Sequence, residues 1–145
     1  RQMCIRDREY AAKGDAVRLR FPWGASWDAG DARLAVDIES ILGGDEAGFL
    51  ARALAPCGAS QQDRSWCGVR DLAGNAAEWV IVPWRVQVGR TTLEDAEREE
   101  LFLRGAVVRG GSWASPVGAG RCTQRDRVPD GSRLDFVGLR VLRES

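Results

Sequence analysis

The chain of 145 residues contains no histidine. That absence removes the commonest general base and the commonest transition-metal ligand together. It also lacks any excess of charge. With 21 basic residues against 21 acidic ones the formal net charge is zero, which leaves no electrostatic case for nucleic acid or an anionic membrane. No apolar run reaches the roughly 18 residues of a spanning helix. No secretory signal is visible, and the sequence opens on Arg1 rather than Met. Closely spaced cysteines are missing as well: Cys4, Cys57, Cys67 and Cys122 form no C-x-x-C pair, so nothing nucleates a four-cysteine zinc site. Free, mostly buried thiols in a reducing cytoplasm are the preferred reading, with a Cys57–Cys67 bridge as the alternative.

What is present is enough for one domain, 1–145, with one core. Its six tryptophans (Trp23, Trp27, Trp66, Trp79, Trp84 and Trp113) are many for this length, and buried indoles are expected to supply much of the core area. The densest feature is Asp71-Leu72-Ala73-Gly74-Asn75-Ala76-Ala77-Glu78-Trp79, answered by Val108-Arg109-Gly110-Gly111-Ser112-Trp113. Each packet combines small residues, an amide or hydroxyl, and a large aromatic. Residues without bulk let backbone groups converge, and glycine permits positive φ.

Around these packets the elements are short. Ile5 to Lys13 reads as a helix stopped by Gly14, and Arg20-Phe21-Pro22-Trp23-Gly24 as a turn. Short helical pieces are expected over 33–42 and 46–54, ended by Gly43-Gly44 and Pro56. Residues 57–70 are turn-rich, and 79–88 read as an irregular strand broken by Pro83. Thr91-x-x-Glu94 is a capping-box pattern opening a charged, solvated helix over 91–104. Ala106–Arg109 and 136–142 read as strands, and the 114–135 segment between them as a long loop.

Five blocks in order carry a resemblance. Arg8-Glu9-Tyr10-Ala11-Ala12-Lys13-Gly14 resembles a helix end that usually reads W-E-Y-A-A-R-G, and Phe21-Pro22-Trp23-Gly24 is similar to Y-P-W-G. The stretch from Cys67 to Trp79 resembles Y-G-L-x-D-M-A-G-N-V-W-E-W, and Val108 to Trp113 carries the R-G-G-S-W end of V-x-R-G-G-S-W. Arg121-Cys122-x-x-Arg125, Pro129 and Val137-Gly138-Leu139-Arg140 follow a closing R-x-A-x-R…P…G-F-R pattern. Together they resemble the formylglycine-generating enzyme (sulfatase-modifying factor) family, and within it the domains fused to bacterial signalling proteins. The resemblance implies an α+β, irregular C-type-lectin-like fold with short strands, few helices and much loop, in a bacterial cytoplasmic protein. It also implies an N-terminal portion that this sequence lacks. A separate or missing N-terminal segment is therefore expected to complete the fold, because a sheet without its first strands exposes an edge.

The same resemblance sets chemical expectations. The family's oxidases hold copper(I) through a pair of thiolates after the aromatic of G-G-S-[WY], a soft ion on soft ligands. The corresponding positions hold Ser115 and Gly120, leaving Cys122 as the only thiol nearby, so no copper is expected. Ser112 matches an oxygen-site serine of the oxidases; its bland role is to tie down the Gly110-Gly111 turn. Another enzymatic branch uses non-haem iron on histidines, which this sequence does not have. Calcium is the expected metal: the resemblance implies carbonyls of Ala73, Gly74 and Ala76 and the Glu78 carboxylate as ligands, with Asn75 supporting the turn. The alternative is that Glu78 pairs with an arginine such as Arg109 or Arg140 and holds no metal. A second family calcium site, near Ala35, has only Asp37 to offer.

Two readings of function follow. In the first, the domain is a non-catalytic recognition or scaffold module whose 114–135 loop meets a protein or peptide partner through Ser115, Arg121, Arg125, Arg127, Asp130, Arg133 and Asp135. In the second, it is a copper-dependent oxidase that converts a substrate-protein cysteine to formylglycine, with Cys122 and Ser112 as its catalytic groups.

Overall fold

The computed structural model describes residues 2–15, 18–27, 32, 34, 53–81, 106–129 and 131–143. Within them a single helix, α1 (Ile5–Lys13), precedes four strands: β1 (Ala77–Val80), β2 (Ala106–Arg109), β3 (Asp126–Val128) and β4 (Val137–Leu139). This is the irregular α+β architecture expected from the sequence, with short strands and much loop.

Helix α1 starts without a side-chain cap at Cys4, carries Asp7 in its first turn and Lys13 in its last, and so complements the helix dipole at both ends. It stops at Gly14, whose left-handed φ of 57° lets its N–H return to the Tyr10 carbonyl at 2.7 Å. A Cβ at Gly14 would meet the Trp66 indole at 3.1 Å, so close approach as well as φ selects glycine there. The buried stripe of α1 is Ile5, Arg8 and Ala12. The spacing i, i+3, i+7 is that of one helical face, yet its middle member is an arginine.

The sheet runs β3-β2-β1-β4. β2 pairs antiparallel with both β1 and β3, while β4 lies parallel to β1. Trp79 stands opposite Val108 on one side and Leu139 on the other. Past the end of β1 the residues leading into α1 join the sheet: Cys4 bridges Ile81 and Gln2 bridges Val141. Backbone bonds from Ile5 N–H to Ile81 O (2.9 Å) and Ile81 N–H to Met3 O (3.1 Å) fix the helix entry to the strand.

Several expectations change. β3 arises inside the segment read as loop, and a short 3-10 turn, Val117–Gly120, also lies there. Asp-Arg-Val on an edge strand has the charge that discourages further pairing and hides the strand from a hydrophobicity reading. Of the described tryptophans only Trp113 is buried; Trp66 is 57% exposed and Trp23, Trp27 and Trp79 are half-buried. Apolar burial is shared among smaller side chains such as Met3, Ile5, Leu72, Val80 and Val108. The fully buried side chains include Arg8, Arg109 and Asp63, so much of the interior is organised by charge. The four cysteines are free thiols with Cys57 and Cys67 exposed, and only Cys122 is buried. The helix expected over 91–104, most of those over 33–42 and 46–54, Asp37, and the strand continuation over 82–88 lie outside the described residues.

Candidate functional site

The two packets of small residues meet in space. Glu78 on β1 stands opposite Arg109 on β2. Ahead of the strands, Gly74 N–H donates to Gly110 O at 2.8 Å and Trp113 N–H donates to Asn75 O at 2.9 Å. Asn75 takes a left-handed φ of 62°, which asparagine tolerates better than most residues. Its amide clamps Ala55, accepting the N–H at 2.8 Å and donating to the carbonyl at 3.0 Å. Beneath this turn lies Asp63, which accepts the Ala73 N–H at 2.9 Å through Oδ2. Burial, more than any neighbouring charge, pushes the Asp63 carboxyl up to about 6. Sequence reading missed this residue, which stands in a stretch of Gln, Arg and Ser that signals only turn.

Glu78 is engaged on both oxygens. Arg8 Nε donates to Oε2 at 2.7 Å, and Arg140 Nε donates to Oε1 at 2.8 Å. The same guanidiniums consume nearby carbonyls: Arg8 reaches Leu72 O at 3.1 Å, and Arg140 Nη2 reaches Arg70 O at 3.0 Å and Asp71 O at 2.9 Å. Calcium takes carboxylate and carbonyl oxygens, and both carboxylate oxygens of Glu78 already face a guanidinium. A dication beside them would meet strong repulsion in a site where the Arg8 side chain is only 2% exposed. The residues present therefore do not fit calcium on Glu78, although Ala73, Gly74 and Ala76 stand in the turn beside it. Among the described residues no cluster of three or more His, Cys, Asp or Glu side chains could hold a metal.

Of the two arginines the sequence offered for Glu78, Arg140 is a partner and Arg109 is not. Arg109 Nη1 donates to Glu9 Oε2 at 3.0 Å, and its Nη2 donates to the Cys122 carbonyl. Glu9 also receives Arg125 at 3.3 Å and Lys13 at 3.4 Å. Burial alone would raise the Glu9 pKa, but the bonds and charges of Arg109, Arg125 and Lys13 outweigh it and hold the carboxyl below its ordinary value. Arg8 was missed because charged residues on a helix are ordinarily solvated; its signal was its place on the Ile5–Ala12 stripe.

After Trp113 the chain closes a serine turn. Ser112 N–H donates to Ser115 Oγ at 3.1 Å, the two hydroxyls share a hydrogen bond at 3.0 Å, and Ser115 N–H returns to Ser112 O at 2.9 Å. Ser112 is buried and Ser115 half-buried. Cys122 is anchored by its N–H on Arg20 O at 2.7 Å. Burial, which outweighs the nearby Arg109, Arg8 and Lys13, pushes its thiol up to about 11, so it stays protonated at neutral pH. The remaining loop residues scatter: Arg121, Arg127, Arg133 and Asp135 are exposed, Arg125 turns to Glu9, and Asp130 lies outside the described residues.

Residues 4–145 match the sulfatase-modifying factor enzyme 1-like domain. The chain belongs to this family. It is 34% identical to the hercynine oxygenases of Mycolicibacterium thermoresistibile and Mycolicibacterium smegmatis over 86% of its own length, and spans 26% and 28% of theirs. Among solved structures it is similar to Treponema denticola variable protein 1 (TM-score 0.65, 23% identity) and to PvdO from Pseudomonas aeruginosa (TM-score 0.62, 23% identity). Both likenesses cover 95% of this chain, and 45% and 50% of those chains respectively. At that identity they bear on the fold alone.

Proposed function

We propose that this chain is a non-catalytic recognition domain of its family, meeting a protein or peptide partner through residues 114–135. One observation carries the reading. At the position after Trp113 where the resemblance implies a copper thiolate, the Ser115 hydroxyl is bound to Ser112, and the nearby thiol, Cys122, is buried and protonated. A hydroxyl is a poor substitute for a thiolate on copper(I), and the single thiol nearby cannot supply the pair that the ion needs. The exposed Arg121, Arg133 and Asp135 offer mixed charge to a partner. Ile81 (46% exposed), Leu139 (63%) and Val141 (67%) near the β4 edge support a further segment that completes the sheet.

Copper analysis with oxygen-uptake measurements on the full chain tests this reading. It predicts neither bound copper nor thiol-dependent oxygen consumption; stoichiometric copper with such consumption overturns it. The second reading is an oxygenase, and the 34% identity to proteins named hercynine oxygenase favours it. Because the chain spans about a quarter of those proteins, the reacting groups would then come from sequence outside these 145 residues.

A further inference from the structure

We propose that the paired guanidiniums of Arg8 and Arg140 are the resident counter-cation of Glu78, a protein-borne replacement that makes the 71–78 turn independent of calcium. This goes beyond the recognition reading and does not rest on it. Two guanidiniums carry the charge of one divalent cation. They also take the ligand types calcium would need: both oxygens of one carboxylate and the carbonyls of Leu72, Arg70 and Asp71. Guanidinium suits this exchange because its planar fork serves a carboxylate and carbonyls at once and does not lose its charge when buried.

The fold is shaped around the replacement. Arg8 occupies the middle of the buried stripe of α1, and in the helix pattern that this segment resembles its position belongs to Trp. Room for its head group comes from Gly110, where a Cβ would stand 2.5 Å from Arg8 Nη2 and 3.0 Å from Leu72 O. Arg140 stands one residue beyond β4, at the arginine of the G-F-R pattern, so Arg8 is the cation that this chain adds to the site. The pair thus links the helix, β1 and the segment after β4 through a single carboxylate, a junction that a metal would otherwise have to hold with ligands from one turn.

The test is the calcium response of the full chain. In thermal unfolding and titration calorimetry, the wild-type protein is expected to unfold at the same temperature in chelator and in millimolar calcium, with no saturable binding heat. Arg8→Met should lower the midpoint by about 10 °C in chelator, from the loss of a buried ion pair. Arg8→Lys, which keeps the charge and loses the fork, should fall between the two, and it keeps the test decisive if Arg8→Met does not fold. One equivalent of calcium bound by the wild type with a rise in midpoint, both abolished by Glu78→Gln, would overturn the proposal. So would an Arg8→Lys protein as stable as the wild type.

Discussion

Glu78 and the Ser112–Ser115 turn are two places among the described residues where the family resemblance implies a metal, and the chain treats them differently. At Glu78 its own cations surround the carboxylate: Arg8 at 2.7 Å and Arg140 at 2.8 Å, on a side chain 9% exposed. At Ser115 nothing charged takes part, and two hydroxyls and three backbone N–H groups close a small neutral turn. The first arrangement keeps the electrostatics of a cation site and moves the cation onto the protein. The second keeps only the shape of a loop. A domain can therefore retain the support that a metal gives to a fold while losing the ligands that a metal needs for redox chemistry, because the two tasks fall on separate residues.

Removing the carboxylate should break this contrast most severely. Glu78→Gln leaves two guanidiniums facing a neutral amide, and the expected loss is about 3–5 kcal/mol of stability, read by urea denaturation. Gly110→Ala attacks the same junction from behind. Its φ of 96° and a Cβ at 2.5 Å from a buried, immobilised guanidinium predict a loss of about 2–4 kcal/mol, and a cost below about 1 kcal/mol would show that Arg8 can move aside. At the neutral turn, Ser115→Ala frees the buried Ser112 N–H and should cost only about 1 kcal/mol. Smallest of all is Arg125→Ala on Glu9. With half of the Arg125 side chain in solvent the expected change is under about 1 kcal/mol, and it should shrink further in added salt.

pH separates two other carboxylates. Asp63 titrates at about 6 in the folded chain against an ordinary 3.8, so the native state binds its proton more tightly than the unfolded state. Its contribution to stability therefore falls as pH rises between those values, and Asp63→Asn should remove that slope. Glu9 has the opposite sign: its pKa is depressed, so its contribution is present above about 4.5 and is lost as pH falls through the lower folded value. Denaturation midpoints for wild type and Asp63→Asn across pH 4 to 7 check the first sign, and the same comparison for Glu9→Gln below about pH 4.5 checks the second.

The parts of the molecule that could be read from sequence are those where backbone geometry demands a residue type. The two glycine-rich packets announced a convergence that the Gly74–Gly110 and Asn75–Trp113 bonds realise, and Ala106–Arg109 was bounded by its β-branched residues and the following glycines. Gly14 marked the helix end. What was not legible depends on partners remote in sequence. Arg8 and Glu78 are 70 positions apart, and nothing local says which arginine a carboxylate will choose. β3 is a strand only because β2 lies beside it. Asp63 becomes significant only once burial strips its solvent.

The chain's own cations take the place of the ion at Glu78, while the Ser112–Ser115 turn has hydroxyls where a metal would need thiolates. Metal analysis of the full chain, after equilibration with calcium and with copper(I) and removal of the unbound ions, tests this most directly. The account predicts sub-stoichiometric amounts of both metals. One equivalent of calcium lost in Glu78→Gln, or one equivalent of copper lost when Cys122 is replaced by Ser, would contradict it.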